Sequence, residues 1–257
     1  NGFTTAMTLR ELRGLPDVGE IQRLRSRALD FLEGCRSTQI AGAFGFWPED
    51  ARPVWATRVP ADIDDTAINT IELLRYGRLS RRDGLRTVCT VLIPNRVTAR
   101  ECRFKPPWIA PGAFLTWIGP RGRPNVIDCC VNANAAALMA LVEATHLPGY
   151  REAVSTVADG VKWAGRLPAR RQAITAFYPS IHALLDAVEH AVECGAKELA
   201  PTLDPLRQIA GERDPTAAPG CCCGAYGATV WRCVALEEAQ ALRRAADTVG
   251  APVWCFD

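Results

Sequence analysis

The chain alternates stretches of helical periodicity with loops rich in glycine, proline and aromatic residues, and alternating β-branched runs are nearly absent. That pattern predicts an all-α protein built of helix pairs. From Asp17 to Cys35, Val18, Ile21, Leu24, Ala28, Phe31 and Leu32 recur at helical spacing, with Arg and Glu between them. A loop over Ala41–Pro60 follows. A second helix starts at Asp62 or Ile63 and runs to Tyr76, where Gly77 signals a C-cap, and a third spans Ser80 to Ile93 and stops at Pro94. Residues 94–125 read as loop, with breakers at Pro106-Pro107, Pro111-Gly112 and Gly119-Pro120. Helices are predicted over 128–145, 149–165, 179–194 and 196–211. Asp214–Gly227 is a further loop and 228–249 a last helix.

Arrays of helix pairs open into solenoids or close into rings, and the number of helices here is nearer a closed ring. Two weakly similar units are visible, Leu29 through Trp47 and Asn132 through Trp163. The 257 residues are read as one domain, with residues 1–15 as a flexible N-terminal segment.

Asp62-Ile63-Asp64-Asp65 places three carboxylates within four positions at a predicted helix start. Acidic residues favour that place as caps, because they accept free N–H groups and face the positive end of the helix dipole. The functional reading rests on electrostatics. Like charges held together cannot all ionise, so one carboxyl stays protonated near neutral pH. In a dry cavity such an acid suits protonation of a poor base such as an alkene or epoxide. Phe44, Phe46, Trp47 and Trp55 precede the cluster, and Trp108, Phe114 and Trp117 lie in the next long loop. Their faces suit a cationic intermediate, and ordinary packing between helices is the alternative. Asp128, Asn132 and Asn134 flank a predicted helix start, as pocket-lining groups or, for Asp128, as an N-cap.

Asp62-Ile63-Asp64-Asp65-Thr66-Ala67 resembles the Asp-x-Asp-Asp-Thr-Ala motif of class II terpene cyclases, in the prenyltransferase and squalene–hopene cyclase superfamily. Gln39 to Pro48, after Ala28-x-x-Phe31-Leu32, resembles one of that superfamily's Gln/Trp repeats, and Trp55 to Pro60 is similar in character. Asn125 to Ala135 resembles a helix start in related repeat proteins. The resemblance implies a single (α/α) toroid with Asp64 as proton donor and Asp62 and Asp65 as its hydrogen-bonding and electrostatic neighbours. It implies a hydrophobic, isoprenoid-derived small molecule as substrate, bound near Phe44, Phe46, Trp47, Trp55, Trp108, Trp117, Asp128 and Asn132. Those cyclases place their site between two helical domains, and this chain has room for about one. A homodimer or a second-domain partner is the expected way to complete it. The superfamily's class I metal motif is not evident, so no metal or other cofactor is expected, with Mg²⁺ reserved for a diphosphate substrate. An acid-catalysed cyclase for a non-terpenoid intermediate and a non-catalytic binding toroid are the alternatives.

A net charge of +2 gives no basis for nucleic-acid binding, and no apolar run is long enough to span a bilayer. Asn1 to Arg13 lacks the apolar stretch of a secretory leader, and the eleven cysteines do not have the spread spacing of a disulfide scaffold. The expectation is a cytoplasmic protein with reduced thiols. Cys221, Cys222 and Cys223, with Cys233 beyond, are poorly spaced for one tetrahedral ion. A reactive thiolate is the other reading of that cluster. His182 and His190 have no metal-ligand spacing and are read as surface or core-edge residues.

Overall fold

A computed structural model describes residues 1–54, 59–103, 105–119, 125–212 and 220–248. The architecture is all-α. The helices are α1 (Gly2–Leu12), α2 (Gly19–Gly34), α3 (Ile63–Arg75), α4 (Arg81–Thr87), α5 (Ala99–Cys102), α6 (Cys129–Leu141), α7 (Tyr150–Ala164), α8 (Pro168–Ile174), α9 (Ile181–Glu193), α10 (Leu203–Ala210) and α11 (Val234–Thr248). Among the described residues no helix is long and apolar enough to cross a membrane.

Several boundaries differ from the sequence reading, each for a local reason. Residues 2–12, expected to be flexible, form α1. Phe3, Ala6, Leu9 and Leu12 recur every three residues and are buried, and Asn1 caps the helix by accepting from Thr4 N at 2.9 Å. In α2 only Leu29 and Leu32 are buried, while Leu24 and the N-cap residue Val18 face solvent. The helix expected over Ser80–Ile93 begins as α4 under a Ser80/Asp83 capping box. It then loosens into a π-turn at Val88–Leu92 and tightens into a 3₁₀ turn at Ile93–Asn95. The helix expected over 196–211 splits into a 3₁₀ segment, Lys197–Thr202, which contains Pro201, and α10. The last helix starts only at Val234, because Val230–Trp231 pairs antiparallel with Cys222–Cys223 as a two-stranded ribbon, β1 and β2.

Helix α6 is the centre of the bundle and packs on α3, α7 and α9. Its run Cys129 to Met139 is buried all round, as expected of a helix without a polar face. Helix α1 packs on α2, α3 and α11.

Two stretches repeat one hydrogen-bonding plan. Gly45 N–H donates to Cys35 O at 2.8 Å, Ser37 N–H donates to Ala43 O at 2.9 Å, and Arg36 bridges Phe44. In the second stretch Leu115 N–H donates to Asn95 O at 3.0 Å, Val97 N–H donates to Ala113 O at 2.8 Å, and Arg96 bridges Phe114. Gly42 and Gly112, which begin the two Gly-Ala-Phe turns, both hold left-handed φ values of 86° and 99°. Each turn then ties to the helix that follows it. Phe44 N–H donates to Thr66 Oγ1 at 3.0 Å, and Phe114 N–H donates to Asn132 Oδ1 at 2.9 Å. Thr66 and Asn132 occupy the same place relative to the caps Asp62 and Asp128. The matching units therefore run from Cys35 to Thr66 and from Asn95 to Asn132, out of phase with the two seen in sequence. The loops also join successive helices at one end of the bundle. Gly2 N–H donates to Phe46 O at 2.8 Å, and Ile63 N–H donates to Thr116 O at 2.9 Å.

Candidate functional site

Asp62 sits in extended backbone at the head of α3, and its Oδ1 accepts from Asp65 N–H at 2.7 Å. The capping reading of this residue is therefore correct, and it leaves Asp64 and Asp65 in the first helical turn, pointing to different neighbours. All three side chains are buried. Asp64 Oδ1 accepts from Asn134 Nδ2 of α6 at 2.8 Å, and Asp64 Oδ2 accepts from the hydroxyl of Tyr178. Asn134 Nδ2 also lies 3.3 Å from the Tyr178 hydroxyl, so the three groups form a closed triangle. Asp65 Oδ2 is buried without a hydrogen-bond partner.

Burial raises the carboxyl pKa of each aspartate, because a low-dielectric setting penalises the charged form. For Asp62 the neighbouring Asp65 and Asp64 add to burial and push it well above the usual range. Asp65 rises to about 7 through burial and the Asp64 charge. Asp64 also rises through burial, but the hydrogen bonds from Tyr178 and Asn134 pull against that rise. Those bonds stabilise the anion left after a proton departs.

A cavity of about 460 Å³ opens beside this triangle. Asn134 and Tyr178 form part of its wall, and Asp64 stands one hydrogen bond further in. Phe3 and Arg10 of α1, Ala183 and Asp186 of α9, Cys221 and Leu236 are among the other residues that line it. The ring of Phe3 meets that of Tyr178 edge-on at 5.6 Å.

Of the residues expected to line a pocket, Asn134 does so, while Phe44, Phe46, Trp47, Trp108, Trp117, Asp128 and Asn132 are not in this cavity's wall. Phe44 is buried in its turn, with the Arg36 guanidinium over its ring at 5.4 Å. Phe46 and Trp47 pack edge-on against each other. Trp108 packs on Trp163 of α7. Trp117 packs edge-on against Phe177 at 5.2 Å. The Trp108 ring thus fastens a loop to α7, and the Trp117 ring fastens one loop to another. Asp128 caps α6, accepting from Cys130 N at 2.7 Å and from Phe177 N at 3.0 Å, and burial raises its pKa to about 7. Asn132 is fully engaged with the backbone of Phe114 and with Asp128 O. Both residues hold backbone in place. Trp55 lies outside the described residues.

The sequence reading did not single out Tyr178 or Phe3. Asn134 was legible as one of two asparagines in an otherwise apolar helix. Among the described residues no group of three or more His, Cys, Asp or Glu side chains is arranged to hold a metal ion.

A second buried polar cluster ties α1 and α9 to α3. Glu72 faces Arg10 Nε at 3.7 Å, Arg13 Nη1 at 3.5 Å and His190 Nε2 at 3.9 Å. Burial and the three arginines Arg10, Arg75 and Arg13 drive the His190 pKa far down, so its ring is neutral. No protein-family model, curated protein or solved structure matches the chain.

Proposed function

We propose that the chain is an (α/α) toroid enzyme that cyclises a hydrophobic, isoprenoid-derived small molecule by protonation, with Asp64 as the source of the proton. The observation that carries this reading is the triangle of Asp64, Tyr178 and Asn134, in which a buried carboxyl touches two side chains that face a cavity. The Asp64 acid passes its proton to the Tyr178 oxygen as the Tyr178 hydroxyl proton moves to an alkene carbon. The product is a carbocation, a Tyr178 hydroxyl donating to Asp64, and an Asp64 carboxylate held by Asn134. Internal π-bonds then attack the cation, and loss of a proton ends the reaction. Burial holds the proton on Asp64 until substrate arrives, and the Tyr178 and Asn134 contacts receive the anion left behind.

The test is product analysis with linear isoprenoid alcohols, diphosphates and terminal epoxides. Asp64→Asn keeps the shape and removes the acid, so it should abolish product formation. Wild-type turnover in that variant would falsify the reading.

A second reading keeps the acid and changes the substrate to a non-terpenoid intermediate. The cavity wall favours it, because among the described residues Arg10 is the guanidinium that lines it and Arg10 already faces Glu72, while Glu212 and an Arg232-paired Glu237 stand in the same wall. Such a wall offers a diphosphate little positive charge. Inertness toward every diphosphate, with turnover of neutral substrates, supports this second reading.

A further inference from the structure

We propose that Cys221 is a nucleophilic thiol of the same cavity, a covalent capture site for small α,β-unsaturated carbonyl compounds, with Cys222 as the neighbour that steadies its anion. The proposal is independent of the acid chemistry at Asp64.

Position is the first support. Cys221 N–H donates to Trp231 O at 2.8 Å, which fastens the residue to the start of the β1–β2 ribbon. Its side chain lines the cavity together with Tyr178, Phe3 and Cys233. A compound that enters the cavity therefore meets this residue in its wall.

The neighbouring thiol is the second support. Cys222 Sγ lies 3.8 Å from Cys221 Sγ, within reach of an S–H···S contact. A thiol next to a thiolate donates to it and spreads its charge. That contact, ahead of the opposing effect of burial, brings the Cys221 pKa down to about 7. Burial pushes Cys35, Cys129, Cys130, Cys194 and Cys223 the other way. Cys221 Sγ also reaches the Trp231 carbonyl at 3.3 Å, so the Cys222 contact acts against a carbonyl that favours the thiol form; Cys221 combines a place in a cavity of ligand size with a second thiol in contact.

The reaction balances without an oxidant. The Cys221 thiolate adds to the β-carbon of the enone and forms a C–S bond. The C=C π-electrons move to the carbonyl as an enolate. The Cys222 thiol or water returns a proton to the α-carbon, giving a saturated thioether adduct.

Rate-resolved labelling with N-cyclohexylmaleimide, followed by peptide mass mapping, tests the idea on the intact protein. Cys221 should label about tenfold or more faster than the exposed Cys89 at pH 7. Cys222→Ala should move the midpoint of the Cys221 pH–rate profile upward. Ala183→Phe, which narrows the cavity from α9, should slow Cys221 and leave the Cys89 rate unchanged. Circular dichroism checks that both variants are folded. Equal labelling of Cys89 and Cys221, or an unmoved midpoint in Cys222→Ala, overturns the proposal.

Discussion

The hydroxyl of Tyr178, carried on the loop that leads into α9, donates to the carboxylate of Asp64, 114 residues earlier in the chain. Tyr178 is buried, and burial followed by the Asp64 charge pushes its own pKa well above the usual phenol range. The phenol therefore stays protonated and acts as donor or proton carrier. The contact is held from both sides, because Phe177 N–H donates to the Asp128 carboxylate and Pro179 follows directly.

Tyr178→Phe removes the strongest influence holding the Asp64 pKa down. Turnover requires the protonated acid and so falls as pH rises through that pKa. The variant should move this falling limb to higher pH, because its Asp64 acid is weaker. The maximal rate should also drop, by about 100-fold or more, since the relay to the cavity is lost. A pH–rate profile reads both effects, and an unmoved limb would exclude the contact as a control on Asp64.

The carboxyl cluster also sets how stability depends on pH. Asp65 and Asp128 have folded-state values of about 7, against 3.8 for the ordinary group, and burial is the main cause for both. The folded protein keeps these protons where the unfolded chain has released them. Their stabilisation is complete below about pH 4 and is lost as pH climbs toward 7, at up to about 1.4 kcal/mol per pH unit for each proton. Asp65→Asn puts an amide where Oδ2 has no partner and removes one of these protons. Urea unfolding between pH 4.5 and pH 8 should show a flatter slope and a more stable variant at pH 8. An identical slope would mean that Asp65 is ionised in the folded protein.

The two Gly-Ala-Phe turns are braced by side chains that can be tested separately. Thr66→Val keeps shape and leaves the Phe44 N–H buried without an acceptor, a cost of about 1–3 kcal/mol. Asn132→Leu leaves both the N–H and the carbonyl of Phe114 without a side-chain partner, so it should cost more than Thr66→Val. Denaturant unfolding measures the difference. If Asn132→Leu were the milder change, the matched roles of Thr66 and Asn132 would be wrong.

Helix content was legible in sequence because apolar residues recur at helical spacing and glycine and proline punctuate them. The cap at Asp62 was legible for the same reason. The cavity was not. Its wall draws on α1, α6, α9 and α11, and only tertiary packing brings Phe3, Asn134, Tyr178 and Cys221 together. Phe3 was hidden in a stretch too short for periodicity to separate from a frayed end. Trp108 and Trp117 show the ambiguity of the aromatic signal, because a large ring near an acidic motif looks the same in sequence whether it faces a cavity or packs on another ring. The repeat was also hidden. It lies in backbone hydrogen bonds at Arg36–Phe44 and Arg96–Phe114, which the differing side chains around them do not reveal.

Glu72 offers the most severe test of the packing between α1, α3 and α9. Its side chain is fully buried and faces Arg10, Arg13 and the neutral His190. Removing one member of a buried ionic cluster strands the charge that remains, so Glu72→Ala should cost about 3–5 kcal/mol. Replacing Arg10 by Met together with Glu72→Gln removes the paired charges in one step and should recover part of that loss. Salt separates this cluster from a surface network. The pairs that Arg78 makes with Asp30 and Glu33 are partly exposed, and screening weakens them. The cost of Glu72→Ala should be nearly the same at low salt and in about 0.5 M NaCl, because water and ions do not reach the carboxylate. A cost that collapses in salt would mean that α1 and α9 part readily over Glu72, and the cavity wall they form would then be open to solvent.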